Sequence, residues 1–241
     1  MIHMKKIWIK AGFYLCCLSA FWACNSEGDQ GLQAHLAEIA ETHDIMGGIV
    51  VLFDGEDQLE VVPFGQADLE RNIPVTDSTK FRIASISKTI TTMAAMQLVE
   101  QDLLDLDTDV STYLGFELKN PNFPDLAITP RMLMSHTSTI NDGPTYSDFL
   151  GASYSDNPIP PISALLASGG SFYTEEQFTD AAPGTYFSYA NINFGILGTI
   201  IEKTSDERFD NYLRNHILLP LGINGSFNIN QIENLDNVSI L

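Results

Sequence analysis

Beyond residue 24 this chain has no cysteine, because Cys16, Cys17 and Cys24 are its only three. The remainder therefore offers no thiol for a disulfide, a thiolate nucleophile or a cysteine metal site. Basic residues are scarce too, with 12 Lys and Arg against 31 Asp and Glu in 241 residues and a formal charge of -19. Three of those cations, Lys5, Lys6 and Lys10, lie in the first 23 positions, which hold no acid, so the rest of the chain sets nine basic residues against 31 acidic ones, a net of -22. A field of that sign repels phosphate backbones and anionic lipid surfaces, which argues against nucleic acid as a partner and against a polybasic membrane contact. Internal repeats and low-complexity segments are absent as well. What remains, 44% hydrophobic and 18% charged residues, can bury a real core, and one main domain is expected.

Residues 1–24 read as a targeting segment. A basic start is followed by an uncharged apolar run from Ala11 to Ala23 and then by Cys24. That run is too short to cross a bilayer comfortably as a helix. Phe21 and Ala23 ahead of Cys24 resemble the lipobox at which bacterial lipoproteins are cleaved and acylated on the new N-terminal cysteine, although leucine is more usual than Phe21 and Trp22 is large for its place. The expectation is an exported protein, lipid-anchored through Cys24 to a bacterial membrane on its periplasmic or cell-surface side, with an ordinary secretory signal or a single anchor helix as the alternative. Residues 25–241 then form the domain proper.

Along that domain, Leu32, Leu36, Ile39 and Ala40 carry the spacing of an amphipathic helix over 32–43, which Gly47 and Gly48 end. Strands are predicted over Ile49–Phe53 and Leu59–Phe64, joined as a hairpin by Asp54-Gly55-Glu56-Asp57. From Ile86 to Val99 the later turns are apolar nearly all round, which predicts a helix inside the protein. A short helix is expected after Pro130, a loop-heavy stretch over 143–170 with Pro144, Pro158, Pro160 and Pro161, and a strongly apolar helix over 192–203. Thr204 and Glu207 are spaced as a capping box for a further helix that places Phe209, Leu213, His216 and Ile217 on one face and ends at Pro220 and Gly222.

Two short constellations carry chemistry. In Ser85-Ile86-Ser87-Lys88 the serine lies at or near a helix start and the lysine about one turn on, on the same face. A hydroxyl needs an adjacent base or cation to become a nucleophile, and free N–H groups at a helix start help to hold an oxyanion. Such a spacing arises on the order of once by chance in a chain this long, as a cap and a solvated lysine, so alone it says little. In Tyr189-Ala190-Asn191, residues i and i+2 of an extended segment point the same way, so a phenol suited to general-base work beside an ammonium and an amide suited to orienting a substrate carbonyl face one cleft. A core-edge tyrosine with a helix-capping asparagine is the plainer account. Asp105, Asp107 and Asp109 mimic the opening of a calcium loop, but Val110 stands in place of its turn glycine and Phe116 in place of its bidentate glutamate, so a solvated loop is the better reading and no metal is expected.

Phe81-Arg82-Ile83-Ala84-Ser85-Ile86-Ser87-Lys88 resembles the nucleophile segment of class C β-lactamases, serine D-alanyl-D-alanine carboxypeptidases and related esterases. Thr129 to Ser138, ending His136-Thr137-Ser138, is similar to their His-Thr-Ser-Gly segment, Pro183 to Asn191 to their Tyr-x-Asn segment, and Pro220-Leu221-Gly222 to the Pro-Leu-Gly that follows. Four marks in the family's order are far more specific than any one of them. The resemblance implies an α/β (α+β) sandwich of the β-lactamase/transpeptidase type, with a helical region over about 86–220. It implies acyl transfer in which Ser85 attacks a carbonyl, Lys88 and Tyr189 shuttle its proton, Asn191 contacts the substrate and water resolves the acyl-enzyme. No metal or organic cofactor is required. The expected partner is a small-molecule or peptidoglycan-type substrate (β-lactam, D-alanyl peptide or small ester), with the membrane touched only through the lipid anchor. His136 is assigned to the loop rather than to the reaction.

Two departures stand out. Thr139 replaces the glycine that usually ends the His-Thr-Ser segment. Family members also continue past Pro-Leu-Gly through strands bearing a Lys-Thr-Gly or His-x-Gly segment. The expectation is therefore a truncated chain with those C-terminal strands of the central sheet missing, a sheet of two strands, and a weakened oxyanion site. A catalytically silent, surface-tethered binding protein of the same fold is the rival reading.

Overall fold

The structure is a computed structural model that describes residues 31–240, so the targeting segment and Cys24 lie outside the described residues. Two compact units emerge, one from residues up to Arg82 together with Glu233–Leu241, the other from Ile83–Ile232.

In the first unit, helix α1 covers 31–42, with Leu32, Leu36 and Ala40 half-buried and Ile39 exposed. Gln33 donates from Nε2 to the Pro63 carbonyl at 2.9 Å, tying α1 to a strand. Strands β1 (Gly47–Asp54) and β2 (Asp57–Asp68) form the expected hairpin with Asp54 opposite Asp57, and Gly55 in the turn takes φ 62°, a conformation glycine adopts freely. A third strand, β3 (Ile73–Pro74), makes the order β1-β2-β3, where two strands were expected. A proline without an N–H fits only a short edge strand, which is why its sequence gives no strand signal. The last described residues join this unit: Lys80 forms a parallel bridge with Val238, Ser239 N–H donates to Lys80, and Ile240 N–H donates to Ala67.

The second unit is helical. Helix α2 (Ser87–Glu100) buries Thr91, Ala94, Ala95 and Leu98, and it packs on α7 (Ile192–Ser205), which buries Ile192, Ile196, Leu197, Ile200 and Ile201. Around them lie α3 (Ser111–Leu114), α4 (Pro130–Met134), α5 (Tyr146–Ser155), α6 (Ser163–Leu166) and α8 (Phe209–Leu213), the last running into a π turn over Arg214–Leu218. The face of α2 that carries Met93 and Met96 stays over a third exposed, contrary to the fully interior helix expected. Apolarity permits burial but does not supply the covering partner. Helix α5 was unforeseen because only Phe149 of its ten residues is buried, too little to set a period.

The capping box was misplaced. Thr204 lies inside α7 and bonds back to the Ile200 carbonyl at 2.6 Å, the habit of a threonine within a helix. The start of α8 is capped instead by Glu202, whose carboxylate accepts from Phe209 N–H at 2.8 Å. Leu213 and Ile217 are buried as expected, Phe209 packs against the core, and His216 is exposed and paired with Glu207 at 2.8 Å. The aspartates of the calcium-like stretch serve structure: Asp107 takes two hydrogen bonds from Arg131, at 2.7 and 2.8 Å, while Asp109 pairs with Lys119 and accepts from Ser111 N–H at the start of α3.

Candidate active site

Ser85 sits in a single 3₁₀ turn, Ala84–Ile86, that runs directly into α2. Ala84 before it takes φ 44°, a conformation that strains an L side chain and turns the chain sharply into the serine. Both Ser85 and the turn are exposed, so the hydroxyl is open to a reactant. One helical step on, Lys88 Nζ donates to Ser85 Oγ at 3.1 Å. From the other major helix, Tyr189 precedes α7, and its Oη lies 2.7 Å from the same Oγ. Lys88 Nζ also stands 5.0 Å from the centre of the Tyr189 ring and 5.6 Å from that of Phe194, placing a cation near two aromatic rings. The hydroxyl, amine and phenol, 104 residues apart at the extremes, therefore share one hydrogen-bonded cluster within the second unit.

Asn191 joins the cluster: its Oδ1 accepts from Lys88 Nζ at 2.9 Å, and its Nδ2 donates to Asp142 at 2.8 Å. Its side chain does not cap α7. Asp142 does so from a distance, accepting from the backbone N–H groups of Asn191 (3.0 Å) and Ile192 (2.9 Å). Sequence reasoning missed Asp142, since it is one acid among many and four residues past the His136-Thr137-Ser138 segment that drew attention.

That segment buttresses the site. The His136 ring is buried against Tyr189, with ring centres 4.4 Å apart, and against Phe194 at 5.5 Å. Its Nδ1 accepts from Ala190 N–H (3.4 Å) and faces Asn193 Nδ2 (3.2 Å), which fixes the neutral tautomer with hydrogen on Nε2. Burial pushes its pKa below the ordinary histidine value, and the nearby Lys88 charge adds to the effect. Ser138 donates to Asn193 Oδ1 at 2.7 Å. Thr139 occupies the turn with φ 72°, the left-handed region natural to glycine, and its buried hydroxyl accepts from Asn120 Nδ2 at 2.9 Å. The turn is thus kept despite the substitution, with a hydrogen bond in partial compensation for the strain.

Electrostatically, hydrogen bonding from Lys88 and then from Ser85 stabilises the Tyr189 phenolate and lowers its pKa below the ordinary phenol value, against the opposing negative charge of Asp142. An open groove lined by Lys88, Thr92, Met93, Met134, His136 and Phe194 adjoins the ammonium. Among the described residues no group of three or more His, Cys, Asp or Glu is placed to hold a metal, and no helix is long and apolar enough to cross a membrane.

Known proteins share this architecture. Penicillin-binding protein 4* of Bacillus subtilis is 28% identical over 197 residues, which is 80% of this chain and 40% of that protein. The octameric penicillin-binding protein homologue of Pyrococcus abyssi superposes with a TM-score of 0.71 at 28% identity, covering 88% of this chain and 47% of that one. EstCE1, a hydrolase with promiscuous acyltransferase activity, gives a TM-score of 0.66 at 25% identity, covering 88% and 56%. The chain spans less than two thirds of each of these proteins. The fold is that of the β-lactamase/transpeptidase type. The family profile described as Beta-lactamase matches residues 32–232, and the chain belongs to that family.

Proposed function

We propose that the protein is a serine hydrolase that acts through an acyl-enzyme on Ser85. The observation that carries the reading is the placement of Ser85 Oγ within 2.7 Å of the Tyr189 phenol and 3.1 Å of the Lys88 amine. In its phenolate form Tyr189 accepts the Ser85 proton as Oγ attacks an amide or ester carbonyl, while the Lys88 ammonium stabilises the charge that develops on both oxygens. Collapse of the tetrahedral adduct breaks the bond to the leaving group, which takes the proton from Tyr189. Water then attacks the acyl-serine and gives a proton to Tyr189; collapse of this second adduct breaks the bond to Oγ, which takes that proton back from Tyr189, releasing the acid and restoring Ser85 and the phenolate. The second Asn191 Nδ2 hydrogen, beyond the one given to Asp142, is suited to a substrate carbonyl, and the partly positive start of α2 supports the oxyanion.

The substrate class is a β-lactam, a D-alanyl peptide or a small ester. Relatives named as penicillin-binding proteins and a hydrolase with acyltransferase activity support that range, and pocket shape selects within it. Labelling of the full chain with a fluorescent penicillin and with a fluorophosphonate, in parallel with Ser85→Ala, tests the reading. Serine-dependent label from either probe supports it, and no label from folded protein favours the silent binding protein. Export with lipidation at Cys24 is part of the same proposal and rests on sequence alone. Cys24→Ala is expected to release the protein from the membrane fraction, and unchanged membrane retention would contradict it.

A further inference from the structure

Two groups of Asn191 and the backbone amide of Ile192 converge on one carboxylate. Asp142 Oδ2 accepts from Asn191 N and Nδ2 at 3.0 and 2.8 Å, and Oδ1 accepts from Ile192 N at 2.9 Å. A helix cap needs only the two backbone bonds; the third goes to a side-chain amide. An amide can present either end to a neighbour, but a carboxylate only accepts, so Asp142 turns Nδ2 toward itself and leaves Oδ1 facing the ammonium of Lys88 at 2.9 Å. Lys88 in turn reaches Ser85 Oγ.

We infer that Asp142 is a positioning residue for this site: through Asn191 it holds Lys88 on the nucleophile's oxygen, and its negative charge sits behind the ammonium. The inference rests on the acyl-enzyme reading above. Without the carboxylate, Asn191 is free to rotate and offer Nδ2 to Lys88, where two donors confront each other and the ammonium leaves Oγ. The charged and titratable groups that face this arrangement are Lys88 from α2, His136 and Tyr189 from the loops before α5 and α7, and Tyr146 from α5. Burial first and the Asp142 charge second push Tyr146 up to about 12. The same charge opposes the Tyr189 phenolate, but the Lys88 hydrogen bond that favours it is the larger effect, so losing Asp142, and with it the placement of Lys88, makes the phenol harder to ionise.

The test is the rate of fluorophosphonate labelling of the full chain from roughly pH 6 to pH 10, a span set to bracket the proton acceptor. For Asp142→Asn the plateau rate is expected to fall about ten- to a hundredfold, the cost of a small misplacement in a reacting cluster, and the ascending limb to move to higher pH as the Lys88 hydrogen bond is lost. Asp142→Glu keeps the charge and shifts the carboxylate by one methylene, so its plateau falls while its limb stays in place. A role confined to folding lowers the plateau only in step with the folded fraction and moves no limb, and that result overturns the inference. So does a folded Asp142→Asn protein with wild-type plateau and limb. Should Asp142→Asn fail to fold, Asp142→Glu decides: a plateau that returns to wild type once corrected for the folded fraction overturns the inference, and one still lowered per folded molecule supports it. Ser85→Ala separates the two levels, because label that persists in it defeats the acyl-enzyme reading itself, whereas its loss leaves only the role of Asp142 at issue.

Discussion

Replacing Tyr189 by phenylalanine isolates the proton acceptor from everything else the ring does. The phenol is half exposed and touches Ser85 Oγ at 2.7 Å through Oη alone. The ring that stacks on His136 at 4.4 Å and faces the Lys88 ammonium at 5.0 Å survives the change. Folding should therefore be almost untouched, while a positioned general base is worth about 10² to 10⁴ in rate, or about 3 to 5 kcal/mol of barrier. The pH dependence gives a second signature. Lys88 and Ser85 hold the phenol below its ordinary value of 10.0, so the wild-type labelling rate should rise with pH and level off at a pH lower than a free phenol would give. In Tyr189→Phe that limb should vanish, leaving a slow and flat profile. Fluorophosphonate labelling followed by stopped time points reads both quantities. A folded variant that labels within about threefold of wild type, with its ascending limb intact, would refute the assignment of Tyr189 as the base.

Other perturbations test the scaffold. Thr139→Val keeps the shape and the left-handed backbone but removes the acceptor for Asn120 Nδ2, and thermal unfolding should show a loss of about 1 to 2 kcal/mol; unchanged stability would mean that this bond contributes nothing. Leu197→Ala, at a fully buried position of α7, should cost about 2 to 5 kcal/mol in denaturant unfolding. His136 is held neutral by burial, its folded pKa lying below the ordinary value of 6.5. Its contribution to stability is therefore complete above the unfolded value and lost as the pH falls from there through the folded one. His136→Asn offers an acceptor in place of Nδ1 and tolerates the φ of 55°, so its melting temperature should fall less than that of wild type between neutral and mildly acidic pH. Parallel curves for the two proteins would contradict the neutral-histidine assignment.

The elements legible in the sequence are those whose period is set by burial. Helix α7 and the hairpin appear close to their expected limits because Ile192, Ile196, Leu197 and Ile200 face the core and Gly55 marks the turn. Helix α5 and strand β3 were hidden, since one buried phenylalanine sets no period and a two-residue strand ending in proline gives no alternation. Thr204 and Glu207 fit a capping pattern in spacing alone, and the longer run of α7 overrode it. At the site, Ser85, Lys88, Tyr189 and Asn191 were singled out and lie in one hydrogen-bonded cluster. Asp142 left no trace in the sequence, because its partners are two backbone amides and a side chain some fifty residues away, a relation only the fold creates.

The central claim is that one particular hydroxyl is activated, and its neighbour Ser87, two residues on, provides an internal control within the same peptide. Tandem mass spectrometry of the fluorophosphonate-labelled full chain should place the adduct on Ser85, with its yield collapsing in Lys88→Ala. An adduct on Ser87, or label scattered over several serines regardless of Lys88, would contradict the account.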